Sequence, residues 1–518
     1  MSNVIILSVI VAYLLFVILT GVYIGKKTKQ NSEGFFLGGR SMGPLVTAMS
    51  AEASDTSSYL LMAIPGLAYL SGLADPSWTA IGLVLGTYFN FRLVSKRLRR
   101  YSEKLGAITI PDFFSKRFEE GTNVIEAIAA VIIIVFFIPY VASGLQAIGK
   151  LFNTVFEINY MVGVLIGAVV ILSYSILGGF GSVAIMDLIQ SVIMTFALIV
   201  IIIFAVDRAG GIESVMSFAK SLPGFLSFTH SHVPAENISE IGTITTYGPI
   251  KILSTLAWGL GYFGMPHILV RFMSIRDEKE LKLSRRIAST WIIISMAVAI
   301  FIGITGLALS YKGVIPYLKG SDAERVIIRI ADLLSEIGVV PAMIAGIILA
   351  GALAATMSTA DSQLLCAASS FSQNLMYDTF KKKMNDKQQM LAARLTILVI
   401  LILAILIASD PNSPIGQSIF QVVSFAWAGF GACFGPAMLL ALFSKRTNSK
   451  GVIAGMIVGG LMIFVWKFGV RHMGGIYDIY ELLPAFILNM LVTVIVSRLT
   501  TPPSMKIQKI FEEVTKDI

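Results

Sequence analysis

Charged residues are scarce in this chain. Of its 518 residues, 14% are Asp, Glu, Lys or Arg and 56% are hydrophobic, and the mean hydropathy is +0.80. Soluble domains carry about 25% charged residues. The composition therefore excludes a soluble protein, leaves no room for an added soluble domain, and predicts a chain that lies in the lipid bilayer.

Cysteine and histidine are also scarce, with two and four residues. Cys366 and Cys433 lie in apolar runs, so we expect small core residues and no disulfide framework. The chain has no Walker loop, dinucleotide fingerprint or metalloprotease pair. We therefore expect no enzyme, no catalytic residue, no cofactor, and no metal other than a transported ion.

Long apolar runs recur from end to end, each near the roughly 20 residues that a helix needs to cross about 30 Å of hydrocarbon. We predict about thirteen spans, near residues 4–25, 44–68, 76–95, 124–149, 158–177, 182–206, 247–270, 288–311, 338–368, 392–408, 416–443, 452–469 and 480–498. The first run shows no obvious cleavage site, so we expect a retained helix and not a signal peptide.

The formal net charge of +9 does not indicate a nucleic-acid partner, because the basic residues follow the predicted topology. Of the 40 Lys and Arg residues, 30 lie in alternate connections, at residues 26–40, 92–117, 271–286, 381–394, 445–450 and 498–518. Cytoplasmic loops carry this excess. We therefore expect the N-terminus outside and the C-terminus in the cytoplasm.

Two predicted spans are poor continuous helices. The second carries the polar, small-residue run SAEASDTSS at residues 50–58, and the seventh carries WGLGYFGMP at residues 258–266. Glycine costs about 1 kcal/mol and proline about 3 kcal/mol in a helix interior. Irregular backbone at membrane depth is tolerated only where protein or a watery cavity covers it. The two breaks are therefore candidate binding positions.

These breaks lie five spans apart, in the first helix of each half of a ten-helix block. Corresponding breaks in two halves indicate an inverted repeat around a central site; two unrelated kinked helices are the alternative. We expect an extra helix and loop at residues 1–43, the ten-helix core at 44–443, and two further helices with a cytoplasmic tail at 444–518.

Acidic residues inside the spans need a partner, because an ionisable group at the bilayer centre costs about 2.5 to 3.5 kcal/mol. Asp55, in the first break, is a candidate for cation coupling or for a helix cap. Ser358, Asp361 and Ser362 share one helix face and offer the oxygen ligands that hard cations prefer, although such hydroxyls also bond the preceding turn. Asp187 is a third candidate, and Glu52 faces the interior or a watery path.

Aromatic residues near the breaks are candidate pocket walls. Trp258 and Tyr262 lie inside the second break, and Tyr140 follows Pro139 in the fourth span. Small-molecule pockets combine apolar walls with a few polar tips. Packing or interfacial anchoring is the alternative explanation for aromatics in membrane helices.

Motifs along nearly the whole chain resemble the sodium/solute symporter family, and within it the bacterial sodium/proline symporters. They are LGGRS (37–41), GP (43–44), TA (47–48), ASD (53–55), LGGF (177–180) with Asp187, WGLGYFG (258–264), PHI (266–268), MST (357–359) and WAGFGA (427–432). The resemblance implies an all-α, LeuT-like core of five plus five inverted helices. It also implies a multi-pass protein of the bacterial cytoplasmic membrane that functions as a monomer.

The resemblance also implies site residues. Sodium would be bound at Ala53, Thr56, Ala355, Ser358 and Thr359, with Asp55 coupling the ion to transport and Arg40 gating the cytoplasmic side. Proline would lie by Ser57, Tyr59, Tyr140, Trp258, Tyr262 and Pro266. A second sodium site would combine Asp187 with Ser358, Asp361 and Ser362.

Three positions depart from the proline-symporter pattern. The proline symporters have tryptophan where this chain has Tyr59, glycine where it has Glu52, and often serine where it has Asp361. Tyr59 leaves another amino acid or a monocarboxylate open as the substrate, and Asp361 favours the second ion site. A membrane-embedded sensor or enzyme is the more distant alternative. We expect as partners a small molecule, Na⁺ and the lipid bilayer.

Overall fold

Helices dominate the structure, because backbone polar groups at membrane depth must bond within the chain. The computed structural model describes residues 2–27, 32–175, 179–379, 385–410 and 418–516. Its first half contains α1 (Ser2–Lys27), α2 (Ser32–Leu37), α3 (Pro44–Ser58), α4 (Ile64–Ser71), α5 (Ala74–Phe89), α6 (Ser95–Leu105), α7 (Ile110–Arg117), α8 (Val124–Phe156), α9 (Tyr160–Ser175), α10 (Phe180–Arg208) and α11 (Ile212–Ser221).

The second half contains α12 (Pro249–Leu256), α13 (Pro266–Ser274), α14 (Leu281–Tyr311), α15 (Val326–Ser335), α16 (Val339–Ser369), α17 (Asp386–Ala408), α18 (Ile419–Phe443), α19 (Ser449–Phe468), α20 (Leu482–Leu499) and α21 (Met505–Thr515). Tighter 3₁₀ turns lie at Gly38–Arg40, Ala257–Gly264, Glu278–Glu280, Gly320–Arg325, Val470–Met473 and Gly475–Tyr477, and wider π turns at Tyr59–Ala63, Asn90–Val94 and Ser370–Thr379.

Within the described residues, nine helices are long and apolar enough to cross a membrane. The other four predicted spans are divided or short. Those at 44–68 and 247–270 break within the helix, the one at 76–95 ends in a π turn, and the one at 158–177 gives the 16 residues of α9. The all-α membrane fold is confirmed, while the count of thirteen spans and the three-part division of the chain stay predictions.

The connection between the predicted spans 182–206 and 247–270 contains structure that hydropathy does not predict. It holds α11 and an antiparallel hairpin of β1 (His230–Val233) and β2 (Thr243–Thr246). Every residue of β2 is exposed. The hairpin forms by hydrogen bonding between two short strands of a polar loop. A hydropathy profile does not indicate strands of this kind.

The two broken spans lie at the centre of the bundle. α3 packs against α10, α14 and α16, and the Ala257–Gly264 segment packs against α5 and α18. We call the end that holds Arg40, Arg99 and Arg276 the inner end, because the sequence predicts it to be cytoplasmic. The end that holds β1 and β2 is the outer end. Both breaks are therefore covered by protein on all sides.

Candidate functional site

The first break lies at one residue. α3 remains helical through Thr56, and Ser57 then takes φ 43° and ψ −161°. A non-glycine residue in such a sparsely populated region costs about 1–3 kcal/mol. The Tyr59 backbone N–H donates to the Ser57 hydroxyl at 3.1 Å. The prediction of a break in residues 50–58 is therefore correct, but the backbone is irregular at Ser57 and not around Asp55.

The second break is longer. After α12 ends at Leu256, the chain runs as a 3₁₀ turn to Gly264, becomes extended at Met265 and re-enters a helix at Pro266. Proline suits the first position of a helix, where its missing N–H has no partner to lose. Glycine is required at residue 261, because a Cβ there would lie 2.0 Å from the Trp427 indole nitrogen.

Four oxygen atoms of the predicted sodium site lie together. The Ser358 hydroxyl donates to the Ala53 carbonyl at 2.8 Å and to the Ala355 carbonyl at 3.1 Å, and the Thr359 hydroxyl reaches the same two oxygens at 3.4 and 3.2 Å. Thr56, whose backbone carbonyl is the ligand that the resemblance implies, accepts there from the Tyr59 N–H, while its hydroxyl donates to the Glu52 carbonyl at 2.9 Å. These neutral oxygens, joined across α3 and α16, suit a hard cation of low charge.

Asp55 lies at the junction of the two broken helices. Its Oδ2 atom accepts a hydrogen bond from the Tyr262 hydroxyl, and its backbone carbonyl accepts one from the Tyr140 hydroxyl at 3.3 Å. The side chain is buried. Two of the three predicted substrate-region tyrosines, Tyr140 and Tyr262, therefore contact the same residue from different elements.

Aromatic rings enclose the space beside the first break. The Tyr59 ring centroid lies 5.3 Å from that of Trp258 and 5.7 Å from that of Phe420. Trp258 also lies 5.2 Å from Tyr480, and its carbonyl accepts from the Trp427 indole N–H at 2.8 Å. Most of the predicted substrate residues are thus brought together; Pro266 lies on the inner side, at the start of α13.

The predicted second sodium site is divided in this structure. Asp187 accepts from the Ser50 hydroxyl at 2.6 Å and from the Arg271 guanidinium at 2.9 Å, and Arg271 also donates to Ser362 at 2.5 Å. Asp361 accepts from Ser175 at 2.5 Å instead. The guanidinium therefore lies between two of the four predicted ligands, and the site itself stays a prediction.

The predicted location of Arg271 is wrong. The sequence analysis placed it in a basic cytoplasmic connection, but it lies inside α13 with 1% of its surface exposed. Its partners Asp187, Ser50 and the His267 carbonyl satisfy the buried charge. Its position five residues after Pro266, one residue beyond the predicted span at 247–270, was the available indication.

Glu52 is buried on α3, with 1% of its surface exposed. Its Oε2 atom has no hydrogen-bond partner among the described residues. It lies one turn before Asp55, on the same face of the helix. The expectation that Glu52 points inward is therefore consistent with its burial.

Arg40 ties the inner ends of three elements together. Its guanidinium donates to the Met273 carbonyl at 2.7 Å, to the Ala107 carbonyl at 2.9 Å and to the Ser102 hydroxyl at 3.2 Å. Burial, together with the neighbouring Arg99 cation, lowers the pKa of Arg40 below its ordinary value. Arg40 thus connects these elements at the inner end, and its role as a cytoplasmic gate stays a prediction.

Glu324 makes a corresponding connection at the outer end. It forms a buried ion pair with Lys150 at 2.5 Å, and its two oxygens accept from the Ser418 hydroxyl and from the backbone N–H groups of Ile419 and Phe420. It therefore holds the start of α18, including Phe420, over the aromatic rings. Sequence reasoning did not single out Glu324, Lys150, Phe420 or Tyr480, because they are distant in sequence from the breaks.

Comparison with known proteins agrees with this geometry. The profile of the sodium:solute symporter family matches residues 35–459. The chain belongs to this family. One motif that carried the resemblance, LGGF at residues 177–180, lies partly outside the described residues, because residues 177 and 178 are not among them. The chain is accordingly a multi-pass membrane protein.

Characterised relatives cover nearly the whole symporter. It is 38% identical over 501 residues to the osmoregulated proline transporter OpuE of Bacillus subtilis (strain 168), covering 96% of each chain. It is also 38% identical over 503 residues to the sodium/proline symporter of Staphylococcus aureus (strain bovine RF122 / ET3-1), covering 95% of this chain and 92% of the relative. These relatives are transporters.

Solved structures show the same fold. The symporter superposes on a Na⁺-coupled sialic acid symporter in a substrate-bound outward-open state with a TM-score of 0.77, covering 96% of this chain and 99% of the other at 20% identity. The structure of MhsT in complex with L-phenylalanine gives a TM-score of 0.53, covering 88% of this chain and 98% of that one at 14% identity. The predicted LeuT-like core is therefore confirmed.

Proposed function

We propose that this protein is a sodium-coupled symporter that imports L-proline by alternating access. The observation that carries the proposal is the meeting of two broken helices at one place, where neutral oxygens of α3 and α16 lie beside an aromatic enclosure. Relatives that are named proline transporters and match over nearly the full length support proline as the substrate.

Sodium would bind where Ala53, Ala355, Ser358 and Thr359 converge. The Ser358 and Thr359 hydroxyls now donate to the two carbonyls. On ion binding they would turn their lone pairs to the cation, and the carbonyls would lose a hydrogen bond and gain an ion contact. Because Ala53 belongs to α3 and Ser358 to α16, the ion would join both elements and fix the backbone ahead of Ser57.

Proline would bind next to this ion, between the two breaks. The start of α13 would face the substrate carboxylate, because the N-terminal end of a helix favours a negative charge. Carbonyls at the break after α3 can accept from its ammonium, while Tyr59, Tyr140 and Trp258 surround the ring. Asp55 and Tyr262 link the ion side to the substrate side, so each ligand would raise the affinity of the other by the same factor.

A different charged side chain would close each end of the protein. Arg40 bonds backbone carbonyls at the inner end, and Glu324 bonds the start of α18 at the outer end. Alternating access would require these two connections to open in turn. We propose the bacterial cytoplasmic membrane as the location, with the inner end in the cytoplasm and low internal Na⁺ favouring release.

Counterflow in proteoliposomes tests the function. Vesicles loaded with unlabelled proline should accumulate labelled proline from outside, and an inward Na⁺ gradient should drive net uptake where Li⁺ or H⁺ gradients do not. Other amino acids and monocarboxylates form the comparison panel. If proline fails to exchange while another solute does, the protein carries that solute and the proline assignment is wrong.

A further inference from the structure

A cavity of about 450 Å³ lies at the inner end, away from the proposed transport site. It is formed where the Asn90–Val94 turn follows α5 and where the Glu278–Glu280 turn leads into α14. Five basic side chains line it: Arg92, Lys96, Lys279, Lys282 and Arg285. Loop charges that serve orientation alone have no reason to converge on one cavity.

Within the described part of the chain, these five cations lack carboxylate partners. None of the salt bridges that the described residues form involves any of them. The one acidic side chain in the lining, Glu278, is already bound by the Arg100 guanidinium, with one contact at 2.6 Å. Arg285 makes a cation–π contact with Tyr88 at 5.0 Å, which leaves its charge in place.

The basic stretch at the start of α14 follows an acidic turn. Asp277, Glu278 and Glu280 precede the helix, and its first six residues then read LKLSRR. Glu280 is paired with Arg276 at 2.7 Å, and Glu278 is paired with Arg100, so cations outside the cavity already bind these two acids. Lys282 and Arg285 therefore keep their positive charge toward an anion in the cavity.

Apolar side chains beside the cavity face outward from the bundle. Tyr88, Phe89 and Leu93 are 40%, 44% and 38% exposed, and Leu283 on α14 is 49% exposed. In a membrane protein such residues contact lipid chains. The cavity therefore lies where an anionic group would be attached to hydrocarbon and not only dissolved in water.

We propose that this basic cavity binds the headgroup of an anionic phospholipid of the inner leaflet, with the acyl chains lying along Phe89, Leu93 and Leu283. The phosphate diester would bind to Lys282 and Arg285, and Arg92, Lys96 and Lys279 would surround it. Basic pockets between helices at the cytoplasmic side bind such headgroups in other membrane proteins.

Native mass spectrometry of the detergent-purified protein tests the proposal without any transport assay. Phosphatidylglycerol is titrated against the wild type and against the triple variant Lys96→Gln, Lys282→Gln, Arg285→Gln. Each charge near a membrane surface is worth about fivefold in lipid affinity, so the triple variant should bind about 100-fold more weakly. The matched control Lys450→Gln, Lys506→Gln, Lys509→Gln removes three exposed charges outside the cavity and should bind as the wild type does.

Two further arms identify the source of the anion. Phosphatidylcholine should not bind in place of phosphatidylglycerol, and inorganic phosphate at the same concentration should not displace it. Equal phosphatidylglycerol binding by wild type and triple variant would overturn the site, and displacement by inorganic phosphate would overturn a lipid in favour of a soluble anion. Should the triple variant not fold, Lys282→Gln and Arg285→Gln are measured singly, each with about a fivefold loss.

Discussion

Two buried carboxylates near the centre of this symporter have different surroundings. Asp187 pairs with Arg271, whereas Asp55 accepts from Tyr262 and takes part in no salt bridge among the described residues. A buried charge is costly unless it is paired. Asp187 is thus neutralised by the protein itself, whereas Asp55, like the buried Glu52, forms no salt bridge with a cationic side chain among the described residues.

Replacing Asp55 by alanine should abolish sodium-stimulated uptake. The change removes the charge beside the proposed ion site and leaves the Tyr262 hydroxyl without its acceptor. We expect a loss of about 100-fold or more, or about 2.7 kcal/mol, in initial uptake rate with a Na⁺ gradient. Membrane insertion should be normal, and Asp207→Ala, at the exposed end of α10, is the control. Normal uptake by Asp55→Ala would exclude the proposed coupling role.

Replacing Arg271 by methionine should destabilise the protein strongly. Asp187 would then be an unpaired buried charge, which costs about 3–5 kcal/mol. Thermal unfolding of the detergent-solubilised variant measures the loss. Adding Asp187→Asn to the same chain should recover most of the stability, because no charge is left unpaired. Additive losses in the double variant would contradict the pairing.

At the scale of elements, the Ala257–Gly264 turn depends on close approach of backbones. Gly261 lies against Trp427, whose indole N–H in turn bonds the Trp258 carbonyl. A side chain at residue 261 therefore moves the ring that supports the pocket wall. The glycines that weakened the predicted helix are required here for packing.

Gly261→Ala should lower both stability and transport. Overpacking of this kind costs about 1–3 kcal/mol, and displacement of Trp427 should weaken substrate binding about tenfold, which corresponds to about 1.4 kcal/mol. Thermal unfolding and the KM of uptake are the measurements. Gly181→Ala in α10 is the control, since a Cβ there meets nothing within 4 Å. Equal behaviour of the two variants would refute the packing argument.

Tyr480, two residues before α20, also supports the site, although it lies outside the predicted ten-helix core. Tyr480 stacks on Trp258 and donates its hydroxyl to the Ser424 carbonyl at 2.7 Å. Tyr480→Phe keeps the stacking and loses a hydrogen bond worth about 1 kcal/mol. Tyr480→Leu loses the aromatic contact, worth about 0.5–1.5 kcal/mol.

We expect Tyr480→Leu to raise the KM for substrate about fivefold with little change in maximal rate, and Tyr480→Phe to raise it less. A pocket that does not need Tyr480 would show the same KM in all three proteins. A merely structural role would lower the amount of folded protein and leave KM unchanged, so the two measurements separate the roles.

At the scale of the whole molecule, the charge distribution predicts orientation. In a variant without Cys366 and Cys433, Ser239→Cys in the outer connection should react with a membrane-impermeant maleimide in intact cells. Thr501→Cys, at the other end, should react only after permeabilisation. Both positions are exposed. The reverse labelling pattern would invert the proposed topology.

The sequence alone determined the membrane environment, the family and the two breaks, because hydropathy, glycine and proline act locally along the chain. It also predicted Ser358 and Asp55 as site residues, and that assignment stays a prediction. The pairing of Asp187 with Arg271, the position of the break at Ser57, and the contribution of Phe420 and Tyr480 required the tertiary structure. The ion pair and the two aromatic contributions depend on contacts between residues more than 80 positions apart, and the break depends on one backbone angle. Such contacts and angles leave no periodic pattern in the sequence.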